Sequence, residues 1–500
     1  MRKLLLTPLK RRTFLKGLLM STGAAAGGGV GCDNPPGPVD LPSTDHVLVI
    51  GAGMAGLAAA ADLHSRGISV EVIEGRERVG GRTWTTELGG HKIDLGASWI
   101  HGVTGNPIAD LAWENDIETV ETDYDLVSTF GSDGTHLTED ERDELDDLFD
   151  TLMDEVSGLS DERQRQDLPD ISLGEAITTV LAGWSLTSEE TVRLNMIINT
   201  TLEHEFAASV DELSLYEWDE GGYYLGGDVI FPEGYQQILD LLTPGLKITT
   251  GAEVRNIRWG SDGVTVSTSA GDFVGDRAII TVPLGVLQAG KIEFDPPLSS
   301  ARQTAITRLG MGLLNKSYLQ FERAFWTTQE QVFIDYADTH MGFWAESLDL
   351  AYLLDVPILL MFNAADYGRS LEDRSDEDIV AEAMGVLRKL YGQDIPDPIS
   401  HRITRWASDP FSLGSYSYLA PGSSPDDRDG LAYPEGDRLF FAGEATYKDY
   451  PSTVHGAYLS GLREAERWLS GDNKARPGKP LLRRHISRRA MARKHKGRPG

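Results

Sequence analysis

HVLVIGAGMAGLAAAADLHSRGISVEVIE, residues 46–74, decides the fold of this chain. The apolar run Val47 to Ile50 reads as a strand, and Gly51, Gly53 and Gly56 follow it at G-x-G-x-x-G spacing. An Ala-rich helix comes next, then a second strand, Ser69 to Ile73, closed by Glu74. Each glycine has a separate task in such a unit. Gly51 makes the tight turn, Gly53 lets the backbone approach a pyrophosphate, and Gly56 lets helix and strand pack closely. The start of the helix offers free N–H groups and a positive dipole end to the phosphates. An acid about 20 residues on, here Glu74, takes a ribose hydroxyl. The glycines alone would be an ordinary turn. With strand, helix, second strand and acid in order, they predict a Rossmann-type βαβ unit for a dinucleotide.

At 500 residues the chain is long enough for two or more domains. Its net charge of −31 is unevenly placed. Between positions 40 and 470, 29 basic residues face 75 acidic ones, a net of −46. Such a body repels nucleic acid and anionic membranes, so no nucleic-acid partner is expected, and it attracts cations. The charge serves solubility in one reading and steers a polycationic substrate in another.

The N-terminus reads as an address. Lys10-Arg11-Arg12-Thr13-Phe14-Leu15-Lys16 precedes a mild apolar run, Gly17 to Val30, and resembles a twin-arginine export signal. Chance arginines in a flexible leader are the alternative. The run is short and Gly/Ala-rich, a poor membrane span. The expected signal covers residues 1–33, the twin-arginine export machinery is the expected partner, and the periplasm or cell envelope is the destination. The single cysteine, Cys32, follows Gly29-Val30-Gly31, which resembles a lipoprotein cleavage box. A membrane tether through lipidated Cys32 competes with cleavage after Ala24-Ala25-Ala26, which releases a soluble protein. One cysteine excludes an internal disulfide and a cysteine metal site. No metal-ligand spacing occurs among the 11 histidines, so no metal is expected.

Asn34-Pro35-Pro36-Gly37-Pro38 lies in a linker, 34–44. From about 105 to 225 the pattern turns helical and acidic. Thr138 to Val156 opens with a capping box, Thr138 and Glu141, and sets Leu145, Leu148, Leu152 and Val156 along one face of a solvated helix. Short strands alternate from Ile248 to Ile280, with turns at Ser261-Asp262-Gly263 and Ala270-Gly271-Asp272, which predicts a β-meander. Leu313 to Phe321 is a further predicted strand, and Asp376 to Tyr391 a further helix. Arg438 to Leu469 repeats a strand–glycine–helix order. The Arg/Lys-rich tail, 471–500, is expected to be disordered.

Four further motifs carry a resemblance: Arg78-Val79-Gly80-Gly81-Arg82-Thr83, Asp94 to Gly102 (DLGASWIHG), Leu439 to Thr446 (LFFAGEAT) and Ser452 to Tyr458 (STVHGAY). Together they resemble the FAD-dependent amine oxidase family, most closely its polyamine and spermine-oxidase-like branch, over about 45–470. The resemblance implies an α/β fold in which a Rossmann-type FAD-binding domain (45–125, 228–310 and 405–470) is intertwined with a smaller α+β substrate domain (126–227 and 311–404). By the family pattern Glu74 holds the adenosine ribose, Arg82 sits near the pyrophosphate, and Val254 pairs with adenine through its backbone. Gly96, Ala97, Ser98 and Trp99 belong to the cofactor motif. Gly443 and Glu444 reach the ribityl–phosphate part, and Thr453 and Val454 present N–H groups to the pyrimidine end of the flavin. A helix starting there would stabilise negative charge on a reduced ring. Trp406 packs at the flavin.

Only six lysines lie between 40 and 470. One, Lys316, sits in an otherwise apolar strand, where a lysine needs a partner or a task. A strand-edge lysine reaching solvent is the bland alternative. The family's lysine at this motif holds a water against flavin N5, and desolvation there would depress its pKa. Tyr416 matches the aromatic wall facing the flavin. Ser415 stands where monoamine oxidases link the flavin to cysteine, so FAD is expected to be noncovalent. Thr453 replaces the second tyrosine of the amine cage, a departure shared with the spermine-oxidase-like branch. His101 matches a polyamine-contacting histidine, and Glu205 an acid near the amine tunnel.

The implied chemistry is hydride transfer from a neutral amine to flavin N5. The iminium product is then hydrolysed, and O2 reoxidises the flavin to give H2O2. Spermine or spermidine is the expected substrate. An L-amino-acid oxidase or desaturase of the same fold is the alternative, though no arginine for a substrate carboxylate stands out. A non-catalytic envelope flavoprotein is the third reading.

Overall fold

The computed structural model describes residues 46–326 and 331–470. The expected export signal (1–33), Cys32, the linker (34–44) and the basic tail (471–500) lie outside the described residues.

The strand His46–Ile50 is buried between neighbours on both sides, Ser69–Ile73 and Arg277–Ile280, and all three run parallel. Lys247–Thr249 extends the sheet beyond Ser69–Ile73, and Leu439–Phe441 closes the other edge, giving five strands in parallel register. Such a sheet needs cover on both faces, and its strands accordingly read as unbroken apolar runs. The helix Met54–Ser65 packs on it beside the C-terminal helix Val454–Ser470. Chain segments far apart in sequence thus form one doubly wound α/β layer.

The run expected as a single meander divides. Val254–Gly260, Gly263–Thr268 and Gly271–Gly275 pair antiparallel in a separate sheet, which Glu293–Asp295 joins parallel to Val254–Gly260. The flanking strands Lys247–Thr249 and Arg277–Ile280 join the parallel sheet instead. The reason lies in burial: Ala278, Ile279 and Ile280 have no polar alternation and are almost fully buried, whereas Gly263–Thr268 alternates.

A second, six-stranded sheet has the order Ser400–Ile403, Leu314–Gln320, Ile358–Ala364, Glu346–Asp349, Phe333–Tyr336, Val127–Phe130. The predicted helix Asp376–Tyr391 is present, capped by Ser375. The acidic helix Glu139–Arg165 carries the Thr138–Glu141 capping box and runs past Val156. It buries Leu145, Phe149, Leu152 and Val156 against Leu173–Leu181 and Ser188–Ile198. The last of these does not end cleanly. It passes into a π-helical turn, Asn199–Glu203, then a short helical turn, His204–Phe206, stopped by left-handed Ala207. An inserted π-turn rotates the residues that follow, and such turns collect at functional sites.

Candidate active site

The first βα turn is built as a cradle. Gly51 has φ +103°, a left-handed conformation that suits glycine. A Cβ on Gly56 would lie 2.0 Å from the Gly51 carbonyl oxygen, so helix and strand meet only because that atom is missing. Gly53 starts the helix without a side-chain cap, leaving its first N–H groups for a ligand. The Glu74 carboxylate accepts from the Ala52 N–H at 2.7 Å and the Arg76 N–H at 2.8 Å, tying the second strand to the glycine loop. From this cradle a cavity of about 390 Å³ extends past Arg82 and Gly443–Glu444 to Lys316 and Tyr416.

Arg82 donates to Glu444 at 2.8 Å and to the Ser415 carbonyl at 2.9 Å. Glu444 also accepts from the Ser417 hydroxyl, which accepts from Arg428, and Arg428 pairs with Glu220. Burial alone would raise the Glu444 carboxyl. Arg82 and Arg428, aided by Ser417, outweigh it and hold the group below the usual carboxylate range. Val254 and Trp406 line the same cavity. The Trp406 indole donates to the Leu95 carbonyl and meets Trp84 edge-on, with centroids 6.3 Å apart. Gly96 admits no side chain, because a Cβ would lie 1.8 Å from the Arg82 carbonyl oxygen.

Thr453 and Val454 open the C-terminal helix at the cavity wall. The Thr453 hydroxyl accepts from the Gly456 N–H at 2.9 Å and donates to the Tyr450 carbonyl at 2.8 Å. The residue standing in place of a second cage tyrosine is therefore a helix cap.

Lys316 is 4% exposed. Its ammonium donates to the Asp94 carbonyl at 2.9 Å, the Gly96 carbonyl at 2.5 Å and the Ser98 hydroxyl at 2.6 Å. The family resemblance implies a lysine-held water; here the three N–H donors meet protein oxygens directly, because the DLGAS loop folds back over the strand. Trp99 lies 5.7 Å from the ammonium. Desolvation lowers the Lys316 pKa to about 8, against the pull of the buried Asp94 carboxylate. Burial raises Asp94, although the Thr85 hydroxyl, the Tyr235 N–H and Lys316 all oppose it.

His101 stacks on Trp99 and places Nδ1 2.8 Å from the Asp228 carboxylate. A carboxylate only accepts, so Nδ1 carries the proton of this bond. Asp228 also accepts from the Gly102 N–H and the Tyr124 hydroxyl. The Tyr416 hydroxyl donates to the His204 carbonyl at 2.5 Å. Glu205 lines the same end of the cavity.

Of the residues singled out from sequence, Gly51, Gly53, Glu74, Arg82, Gly96, Ala97, Ser98, Trp99, His101, Glu205, Val254, Lys316, Trp406, Tyr416, Gly443, Glu444, Thr453 and Val454 share this cavity's wall, whereas Gly56 lies behind it as packing. Sequence reasoning gave Asp94 no role beyond opening a motif, and missed His204, Glu220, Asp228 and Glu346. His204 had a usable signal, its place beside Glu205; the others are brought in by tertiary contact.

The residues fit FAD: a glycine cradle with an uncapped helix start at one end, an acid, Glu74, closing the second strand beside it, and a second helix start at the other. The flavin containing amine oxidoreductase family matches residues 54–469. The chain is 37% identical over 433 residues to "Lysine-specific histone demethylase 1 homolog 3" of Oryza sativa subsp. indica, covering 84% of this chain and 53% of that protein. It is 36% identical over 462 residues to "Protein FLOWERING LOCUS D" of Arabidopsis thaliana, covering 90% and 58%. It therefore spans about half the length of these relatives. "Polyamine oxidase 2" of Arabidopsis thaliana is 35% identical over 439 residues, covering 84% and 87%. The structure of a putrescine oxidase bound to putrescine shares the fold, with a TM-score of 0.69 at 23% identity over 85% of this chain and 99% of that one. The chain belongs to the flavin containing amine oxidoreductase family, and FAD is its cofactor.

Proposed function

We propose that this protein is an amine oxidase acting on polyamines such as spermine or spermidine, with O2 as electron acceptor. The observation that carries the reading is a buried lysine, Lys316, in one cavity with a dinucleotide cradle and an acid-lined end formed by Glu205 and Glu346. Glu74 would hold the adenosine ribose, Arg82 and Glu444 the middle of the cofactor, and the helix start at Thr453–Val454 the flavin's pyrimidine end. Bound FAD supplies hydride acceptance at N5 and the return of electrons to O2, with release of H2O2. The chain's own part is orientation, exclusion of water and control of protons. A depressed Lys316 pKa lets that side chain exchange a proton near neutral pH, where an ordinary lysine stays charged. His101, fixed by Asp228, and Tyr416 wall the cavity. The iminium product hydrolyses to a carbonyl and a smaller amine. The acidic body, net −46 between 40 and 470, concentrates a polycation at the entrance.

A methylated lysine on a protein is the second reading, favoured by the relatives named as lysine-specific histone demethylase homologues. We also infer export by the twin-arginine route, on the strength of Arg11-Arg12 and Phe14-Leu15-Lys16, with Cys32 a lipidation site or a residue near a free mature N-terminus. Anaerobic bleaching of the flavin band tests the reaction, with spermine, spermidine, tyramine, L-leucine and a methyl-lysine peptide offered in parallel. Bleaching by spermine or spermidine alone supports the first reading. Bleaching by the peptide alone moves the assignment to the second, and bleaching by leucine alone refutes both.

A further inference from the structure

The hairpin of Thr85–Leu88 and His91–Asp94 pairs Thr85 directly with Asp94. The Asp94 carboxylate is buried behind the cavity wall. It accepts from the Thr85 hydroxyl at 2.5 Å and from the Tyr235 N–H at 3.1 and 3.2 Å. Thr85 is held in turn by the Gln236 N–H at 3.0 Å. The Lys316 ammonium meets the main-chain carbonyl of the same aspartate, at 2.9 Å, and the Tyr318 hydroxyl donates to that carbonyl at 2.6 Å. Asp94 and Lys316 thus touch through the backbone, while the carboxylate is tied to other donors and forms no ion pair with the ammonium among the described residues.

A carboxylate in contact with a buried ammonium fixes it in the charged form. One held aside in the same low-dielectric pocket attracts it less. Lys316 is accordingly balanced: burial favours the neutral amine, and the Asp94 charge favours the ammonium. Tyr235 and Tyr318, the other titratable groups against Asp94, are kept as neutral phenols by burial and by that charge. On the neighbouring strands Glu87 and Lys92 are exposed and pair with each other, and Arg402, opposite Tyr318, is exposed. On the cavity side Glu346 lies two strands away beyond Phe362, and His101 stacks on Trp99. Among the described residues Asp94 is the one charge that weighs on Lys316.

We propose that Asp94 is a positioning residue for the reaction: its carboxylate, tied back by Thr85 and Tyr235, sets the pH at which Lys316 gives up its proton. This rests on the amine-oxidase reading above and adds to it a side chain outside the cavity wall.

Asp94→Asn tests it, because asparagine keeps the shape and one accepting oxygen and removes the charge. Lys316 should then lose its proton about one pH unit lower. In urea unfolding of the full-length protein between pH 6.5 and 10, the point at which stability starts to climb should fall by that amount. In a Lys316→Met background, Asp94→Asn should leave the pH dependence of this range unmoved. Coupling is reciprocal, so Lys316→Met alone should let Asp94 keep its proton to higher pH than the wild-type value of about 6. That variant should therefore lose stability relative to wild type between about pH 6 and 7, an arm that needs no change at Asp94. In the FAD-loaded protein, the ionisation of anaerobic flavin reduction that disappears with Lys316→Met should move down about one pH unit in Asp94→Asn. Asp94→Glu, which restores the charge, should bring it back toward the wild-type position. The substrate's own ionisation stays in place in every variant. A loss of stability or rate that is uniform across pH, as a purely structural aspartate would give, would overturn the proposal. So would a shift by Asp94→Asn that persists without Lys316. If no amine is oxidised the reaction assignment fails, and the unfolding series still decides the coupling.

Discussion

Lys316→Met is the substitution whose consequences can be worked furthest. The ordinary lysine pKa of 10.5 falls to about 8 in the folded protein because burial penalises the cation. Below about pH 8 both folded and unfolded chains hold this proton, and the fold carries the full cost of the buried charge. Between about 8 and 10.5 the folded chain releases the proton first. The unfolded chain then binds more protons, so this residue makes stability rise with pH. Integrating that difference between pH 7.5 and 10 gives about 2 kcal/mol. Methionine has no proton to release. Urea unfolding of both proteins across this range should therefore show the wild type gaining about 2 kcal/mol relative to Lys316→Met as pH rises. Titrating groups other than Asp94, whose carboxyl Lys316 holds down, cancel in the difference. At neutral pH the variant escapes the desolvation cost but strands the Gly96 carbonyl, while the Asp94 carbonyl keeps the Tyr318 hydroxyl, so its stability should lie within about 2 kcal/mol of the wild type. FAD should remain bound, while anaerobic flavin reduction by amine slows by at least about tenfold. Unfolding curves that run parallel across the pH range would refute the buried-cation argument. Unchanged reduction rates would refute the catalytic one.

Gly56→Ala forces a Cβ to within 2.0 Å of the Gly51 carbonyl, so the glycine loop must move; the purified protein should carry little FAD and melt several degrees lower, measured by flavin content and calorimetry. Thr453→Ala removes the cap of the C-terminal helix and should cost about 1 kcal/mol in chemical unfolding. The same change should weaken FAD binding, because the helix start forms part of the cavity wall. Asp228→Asn leaves one accepting oxygen for three donors, His101 Nδ1, the Gly102 N–H and the Tyr124 hydroxyl, and should lower kcat/KM by about tenfold in a peroxide assay, with the FAD content unchanged.

The parts of this molecule that could be read from sequence are those whose physics is local. The βαβ unit shows itself because three glycines, a helix and an acid must follow one another within a few turns of chain. The helix Asp376–Tyr391 announces itself through Ser375, three acids in its first turn and Arg388 and Lys389 in its last. Lys316 stood out because a charge in an apolar strand is expensive. Its partner Asp94 is 222 residues away, and His101 and Asp228 are 127 apart. Nothing near either residue in sequence hints at those meetings. Glu346 was invisible for the same reason: it joins the cavity only because its strand pairs with Ile358–Ala364 in the six-stranded sheet. The divided meander was misread because turn chemistry marks where strands end and is silent on which sheet each strand joins.

The Arg82–Glu444 bond joins residues 362 positions apart, and the parallel sheet is closed at one edge by Leu439–Phe441. A nascent chain still lacking its last third has the glycine cradle but neither that edge strand nor the helix beginning at Val454. During translation the nucleotide therefore has only half a seat. Loading therefore waits until residues 439–470 have been made, and the cofactor then fastens late-made segments to early ones.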